Sequence, residues 1–515
     1  MLFNSYGFLF AFLPLTLAGY CCLARYGASA TAAWLAAASL FFYGWWDSRY
    51  LLLLGGSILF NYALAGRIAA APPPAKKRWL TAAIGANLLL LAYYKYANFF
   101  LASVAVLAGT SPPLLHIVLP VGISFFTFTQ IAYLVDTAQG KVHERHLLPY
   151  VLFVTYFPHL IAGPVLHHKQ MMPQFADADK RRLSAVNCAA GISIFIIGLA
   201  KKVLLADSLA PQASAVFDTA DVPSLLLAWG GVLAYAFQLY FDFSGYSDMA
   251  IGLSRLFGIR LPLNFDSPYK AGDIAEFWRR WHMSLSRFLR DYLYIPLGGS
   301  RRGPLLRYRN LMLTMVLGGL WHGAGWNFAI WGGLHGLFLI VHQGWVALSA
   351  RLGWRAGHPA LRPAAVLLTF LSVCCAWVFF RAPDLAAALR ILKGMCGTSG
   401  IGLPDVVGHH LGPLQALLEE AGVVFFLGGG ARFTATWSWV AVAALIAFCL
   451  PNTQQIVRER DVREEGGPLR IAGADALAAH LRWAPSPAWA LGLGLLGLAG
   501  LMSLSNPSEF LYFQF

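Results

Sequence analysis

Residues 310–343 read Asn310-Leu-Met-Leu-Thr-Met-Val-Leu-Gly-Gly-Leu-Trp-His-Gly-Ala-Gly-Trp-Asn-Phe-Ala-Ile-Trp-Gly-Gly-Leu-His-Gly-Leu-Phe-Leu-Ile-Val-His-Gln343 and hold no Asp, Glu, Lys or Arg. As one helix this run would be about 50 Å long against a hydrocarbon core of about 30 Å. It therefore reads as two apolar segments, near 310–330 and 328–348, that share an end. The shared end is rich in glycine and aromatic rings and carries His322. An ionisable side chain at such depth is costly and faces a cavity or a partner. Glycines at 318, 319, 323 and 325 allow close approach of another backbone or of a substrate. Imidazole titrates near neutral pH, which suits it to taking a proton from a thiol or hydroxyl; for a lone membrane histidine, an interhelical hydrogen bond is the commoner use.

The same texture extends along the chain. Of 515 residues 58% are hydrophobic and 12% charged, about half the charge of an average soluble protein, and mean hydropathy is +0.59. This excludes a disordered chain, a disulfide scaffold and an ordinary cytosolic enzyme. Further apolar segments fall near 3–24, 28–46, 49–70, 79–101, 117–136, 185–206, 224–242, 362–380, 433–450 and 485–504, and because several are short or share an end they predict about eleven crossings. The first 24 residues carry no charge, so 3–24 reads as an uncleaved span rather than a signal peptide. No repeat relates the two halves.

The net charge of +14 lies in the connections between apolar segments, which fits the positive-inside rule and not nucleic-acid binding. Arg25 after the first span, then Arg67 and Lys76-Lys77-Arg78 after the third, place the N-terminus outside and the Pro72-Pro73-Pro74 loop in the cytoplasm. Basic residues on both sides of Tyr150–Val165 predict a segment that enters and returns, which requires protein or water around it. Arg458–Glu465 reads as a charged cytoplasmic loop. Seven cysteines, without CxxC spacing, read as small core residues rather than zinc ligands or a redox pair.

Residues 255–309 hold eleven Lys or Arg against four acids, half the whole excess. Within them, Glu276-Phe-Trp-Arg-Arg-Trp-His-Met-Ser-Leu-Ser-Arg-Phe-Leu-Arg-Asp-Tyr292 places Phe277, Trp281, Leu285, Phe288 and Tyr292 on one helical face. Arg279, Arg280, Arg287 and Arg290 fall opposite, with His282 on the boundary. Such a helix lies at an interface and meets lipid phosphates, or lines a basic mouth that attracts an anionic substrate. Tyr240–Asp248 carries two carboxylates six residues apart, suited to a polar pocket or a helix cap. His143, His146, His167-His168 and His409-His410 lack ligand spacing and read as loop histidines, so no metal site is expected. Neither a Walker A loop nor a GxSxG elbow is present.

Taken together, Pro158-His-Leu-Ile-Ala-Gly-Pro164, Gln238–Gly252, Glu276–Ser286, Asp291-Tyr-Leu-Tyr-Ile-Pro-Leu-Gly-Gly299, Asn310–Met315, Gly318-Gly-Leu-Trp-His-Gly323 and the ending Phe510-Leu-Tyr-Phe-Gln-Phe515 carry a resemblance. The chain resembles the membrane-bound O-acyltransferases, and among them the bacterial alginate O-acetyltransferase branch. The resemblance covers nearly the whole chain. It implies an all-α polytopic membrane protein, a ring of about eleven helices with re-entrant helices around a central tunnel. It also implies one integral-membrane domain over 1–515: N-terminal helices 1–140, catalytic core 141–345 and C-terminal helices 346–515. The family's Trp-His-Gly histidine maps onto His322 and its second position onto His282. These are the expected catalytic residues, and Trp281, Arg279, Arg280, Trp321 and Asn327 are the expected substrate-binding positions. The resemblance further implies acetyl-CoA as donor, no bound cofactor, a bacterial inner-membrane location and periplasmic acetyl-transfer partners of a polysaccharide-modifying complex. Alginate is the expected acceptor, with cellulose, peptidoglycan and teichoic acid machinery as alternatives. A proton-coupled transporter and an export-complex scaffold are readings of other classes.

Overall fold

The computed structural model describes all residues except 113, 162, 177–183, 302, 355–357, 458–479, 507–510 and 512–515. The charged 458–465 loop and all of the 510–515 ending but Leu511 therefore lie outside the described residues. The helices in chain order are α1 Phe8–Ala24, α2 Ala28–Gly44, α3 Arg49–Ala70, α4 Pro73–Ala108, α5 Ile123–Ala138, α6 Leu147–Thr155, α7 Phe157–Leu160, α8 His168–Ala176, α9 Ala185–Phe217 and α10 Leu225–Leu256. They continue with α11 Ile274–Arg280, α12 Met283–Leu289, α13 Pro304–His322, α14 Trp326–Arg351, α15 Arg362–Arg381, α16 Leu385–Met395, α17 Asp405–Leu411, α18 Pro413–Glu420, α19 Gly430–Cys449, α20 Thr453–Val457 and α21 Pro487–Met502. Eight described helices are long and apolar enough to cross a membrane, and α1 and α2 are shorter apolar helices. Two four-residue strands, β1 Ile401–Pro404 and β2 Val423–Phe426, pair in parallel, Ile401 opposite Val423. This is a polytopic all-α membrane protein.

Local chemistry sets many boundaries. Asp384 and Ser486 accept the Ala387 and Trp489 amides and start α16 and α21. Asp273 accepts the Glu276 amide, while Glu276 Oε2 accepts the Gly272 amide, a reciprocal cap that opens α11. At the exposed turn before α3, Arg49 hydrogen-bonds Asp47 and holds its carboxyl below the usual range. The 145–165 stretch forms α6 and α7, with nine and four residues. Both are too short to span, and most of their residues are buried in protein, in keeping with a segment that enters and returns.

Glycines fix two close helix contacts. In α9 and α10, a Cβ on Gly198 would lie 2.6 Å from the Gly245 carbonyl oxygen, and one on Gly252 would lie 2.5 Å from that of Gly191. The seven-residue spacing on each helix brings both pairs to one seam, so the backbones touch. In α13 and α14, a Cβ on Gly332 would collide with the Met315 carbonyl and one on Gly319 with that of Phe328. The Gly332→Ala variant is expected to lose about 1–3 kcal/mol through overpacking, read as a lower melting temperature in detergent. Gly333→Ala serves as control, because its Cβ would meet only Val316 at 3.9 Å.

Three sequence expectations are corrected. Residues 276–292 are not one amphipathic helix: α11 ends at Arg280, His282 takes φ +43°, and α12 restarts at Met283. Backbone bonds from Asp266 N–H to Arg280 and from Met283 N–H to Asn264 pull the chain out of helical register there. Tyr240–Asp248 caps no helix, because it lies inside the 32-residue α10. Its carboxylates are buried in ion pairs: Lys201 Nζ is 2.6 Å from Asp248, and Lys202 Nζ is 2.7 Å from Asp207 and 2.8 Å from Asp242. A π-turn at Lys201–Ala206 aims the two adjacent lysines at different acids. Thr453 and Gln454 donate to Asp248 at 2.6 Å each, and the Leu511 amide donates to Asp242. Finally, Cys21 and Cys22 are exposed on an outer helix face, whereas Cys374 is buried. An apolar surround in a membrane protein includes lipid-facing positions, so apolarity alone does not place a side chain in the core.

Candidate active site

α13 ends at His322, and Gly323–Gly325 turn the chain into α14. The last carbonyls of a helix have no partner within it. Here they receive Lys95 and Tyr96 from a π-turn at Ala92–Tyr96 inside α4. Lys95 Nζ donates to Trp321 O at 2.5 Å and His322 O at 3.0 Å, and Tyr96 Oη donates to Leu320 O at 2.7 Å. Lys95 thus clamps the turn that carries His322. The Lys95→Met variant is expected to lower activity by about 10²-fold through misplacement of the imidazole, with Lys95→Arg retaining more. Turnover by both purified variants checks this.

The His322 ring sits in an aromatic shell: Trp321 at 5.0 Å, Trp331 at 5.3 Å and Phe380 at 5.3 Å between centroids. Its ring centroid is 6.2 Å from that of His282. The two histidines, 40 positions apart in sequence, are therefore neighbours. His282 is fully buried, with Phe243 edge-on at 4.8 Å. Its Nδ1 lies 3.0 Å from Asn264 Oδ1, and its Nε2 has no hydrogen-bond partner among the described residues.

The other expected positions divide. Trp321 stacks on Phe128 and flanks both histidines; Trp281 lies farther out, against Phe265, Phe277 and Trp377. Asn327 Nδ2 donates to Ala382 O and ties the start of α14 to the end of α15. Arg279 is exposed. Arg280 is a correction to the basic-mouth reading: it is buried, paired with Glu276 at 2.8 Å and bonded to Asp266 O. The break at Trp281 turns it inward, where an i,i+4 carboxylate meets it. His168 opens α8 and is not a loop histidine, whereas His167 lies in the connection before it; both are buried, and His168 Nδ1 lies 3.3 Å from Asp136, which accepts the Tyr292 hydroxyl.

Sequence reasoning missed Lys95, Asn264 and His335. Lys95 had a signal, being the one charge between Trp79 and Ala108. His335, fully buried on α14, packs 4.9 Å from Trp331 and accepts the Trp278 indole N–H at 3.3 Å, propping the ring that backs His322. Among the described residues no cluster of three or more His, Cys, Asp or Glu could hold a metal ion.

Two imidazoles at a helix break, enclosed by aromatic rings in a polytopic membrane protein, define a candidate acyl-transfer site. The membrane-bound O-acyltransferase family profile matches residues 87–380, which include both histidines and Lys95. The chain belongs to that family and is a membrane O-acyltransferase. A protein of Helicobacter pylori named peptidoglycan O-acetyltransferase is 44% identical over 490 residues, covering 90% of this chain and 92% of that protein. The probable alginate O-acetylase AlgI of Azotobacter vinelandii is 41% identical over 526 residues, covering both chains in full. A teichoic acid D-alanyltransferase of Streptococcus thermophilus is 27% identical over 283 residues, 50% of this chain and 67% of that protein.

Proposed function

We propose that this enzyme takes acetyl from acetyl-CoA on the cytoplasmic side of the bacterial inner membrane and passes it outward for O-acetylation of an exopolysaccharide, alginate. The observation that carries the reading is the pairing of His322 with His282, ring centroids 6.2 Å apart, the latter on a chain segment, 255–309, of net charge +7. Net positive charge on that segment favours a phosphate-bearing donor. In the reaction the acceptor hydroxyl gives its proton to an imidazole, its oxygen bonds to the acetyl carbonyl carbon, and the C–S bond breaks. The departing thiolate then takes that proton and leaves as CoA thiol. His322 stands at the attacking group and His282 beside it. The outward acceptor is a periplasmic acetyl-transfer protein of a polysaccharide-modifying complex.

Peptidoglycan is the second reading for the polymer, favoured by the 44% identity to the Helicobacter pylori enzyme over most of both chains. The test places the gene in a strain lacking its own polymer O-acetylase and measures acetyl esters on alginate and on peptidoglycan, beside acetyl-CoA turnover by purified protein in nanodiscs. Esters on alginate support the proposal, and esters on peptidoglycan alone move the acceptor there. Absence of both esters and turnover overturns it.

A further inference from the structure

The hydrogen-bond chain behind His282 has a direction that two backbone amides impose. The Val165 amide, which only donates, gives its proton to Ser284 Oγ at 2.9 Å. Ser284 Oγ lies 2.8 Å from Asn264 Oδ1, and the Ser284 amide points at the same atom at 3.4 Å. An atom that faces a backbone N–H must be the amide oxygen, so the Asn264 side chain has one orientation and not its flip. Its Nδ2 then donates to Ser247 Oγ at 3.2 Å. With Oδ1 facing the ring at 3.0 Å, His282 Nδ1 must carry a proton. A neutral imidazole protonated at Nδ1 bears its lone pair at Nε2, and that atom is buried without a partner among the described residues. The His322 ring centroid lies 6.2 Å from that of His282. Two hydrogen bonds of about 2.8 Å can bridge such ring edges through one shared oxygen.

We propose that Asn264 is a positioning residue for acyl transfer: it holds His282 in the Nδ1–H tautomer, so that His282 enters the reaction as a proton acceptor at Nε2 rather than as a hydrogen-bond donor. Asn264 is buried in the segment that joins α10 to α11 and meets the His282 ring at Nδ1, so its part in the reaction runs through His282. The left-handed backbone of His282 serves the same end. At φ +43° a non-glycine residue is disfavoured, and the bonds from Met283 N–H to Asn264 O and from Asp266 N–H to Arg280 O hold it there. In the transfer, the proton that His322 takes from the acceptor hydroxyl passes across the shared oxygen to Nε2 of His282, Asn264 Oδ1 keeps the Nδ1–H of the resulting imidazolium in place, and Nε2 returns the proton to the thiolate. A wrong tautomer would put a proton on Nε2 and block the first of these steps.

The inference rests on His282 lying at the transfer site, and the experiment separates the two. Full-length protein in nanodiscs is prepared as wild type, Asn264→Asp, Asn264→Leu and His282→Gln, each checked for monodispersity. Nitrogen-15 solid-state NMR on histidine-labelled protein, with His282→Gln assigning the signal, reads the tautomer. Acetyl-CoA turnover reads kcat and KM. Wild type and Asn264→Asp are expected to show protonated Nδ1 and bare Nε2 at His282. Asn264→Leu is expected to lose that signature and to drop kcat by about 10²-fold, with KM for acetyl-CoA within about twofold. Asn264→Asp is expected to retain most of kcat. An Nε2–H tautomer in wild type, or Asn264→Leu with unchanged tautomer and kcat, overturns the inference. Full activity of His282→Gln with the Nδ1–H signature intact in wild type overturns instead the placement of His282 in the reaction.

Discussion

Replacing His322 with alanine is expected to abolish acetyl transfer while leaving the protein folded in the membrane. General-base catalysis contributes about 10²–10⁴-fold, and removing the imidazole also removes the group that the Lys95 clamp positions. The backbone of α13 should persist, because the clamp reaches the carbonyls of residues 320–322 and not the imidazole. The lost ring leaves a void among Trp321, Trp331 and Phe380, a moderate loss of packing that a melting curve can register. The measurement is acetyl-CoA turnover by purified protein beside acetyl esters on the polymer. Wild-type turnover by His322→Ala would falsify the assignment. Loss of turnover together with loss of monodisperse protein would point to a folding defect, which His322→Gln then separates from chemistry.

The largest expected effect on stability belongs to Lys202. Its ammonium is buried between Asp207 and Asp242, at 2.7 and 2.8 Å. Lys202→Met is close to isosteric but strands two buried carboxylates without their shared cation. Breaking a buried ion pair from one side destabilises by about 3–5 kcal/mol. That is a large part of a typical folding free energy, so little folded protein is expected to accumulate. Adding Asp242→Asn to Lys202→Met should restore a measurable fraction, since one stranded charge is then gone. Equal yields for Lys202→Met and wild type, by fluorescence-detected size exclusion, would count against the buried pair as a fold-determining contact. The readout is yield and melting temperature, which keeps it distinct from the His322 experiment.

Much of the architecture was legible because a bilayer imposes long apolar segments, and these stand out in composition. The two segments that share an end near residue 325 became α13 and α14 with a glycine turn between them, as the uncharged 310–343 run implied. Resemblance singled out His322 and His282 one by one, but their pairing was not legible, because no periodicity relates residues 40 positions apart in different elements. Helical periodicity misled at 276–292. Its pattern was real, but backbone bonds from residues 264 and 266 compete with the helix, and the break they cause turns Arg280 inward and His282 toward His322. The carboxylates of 240–248 looked like a cap because their lysine partners lie some 40 residues earlier, on another helix.

What the sequence by itself determined is therefore the class of solvent, the approximate helices, and the residue types able to accept a proton. Each of these follows from local composition, to which the hydrophobic effect and the period of a helix respond directly. Only the tertiary structure decided which polar groups face one another: Lys95 on the end of α13, Asn264 behind His282, Lys202 between two acids. Inside a membrane protein an unpartnered polar group is costly, so each such group is driven to a specific partner. The partner is set by which helices pack together, and that choice is made by contacts far apart in the chain.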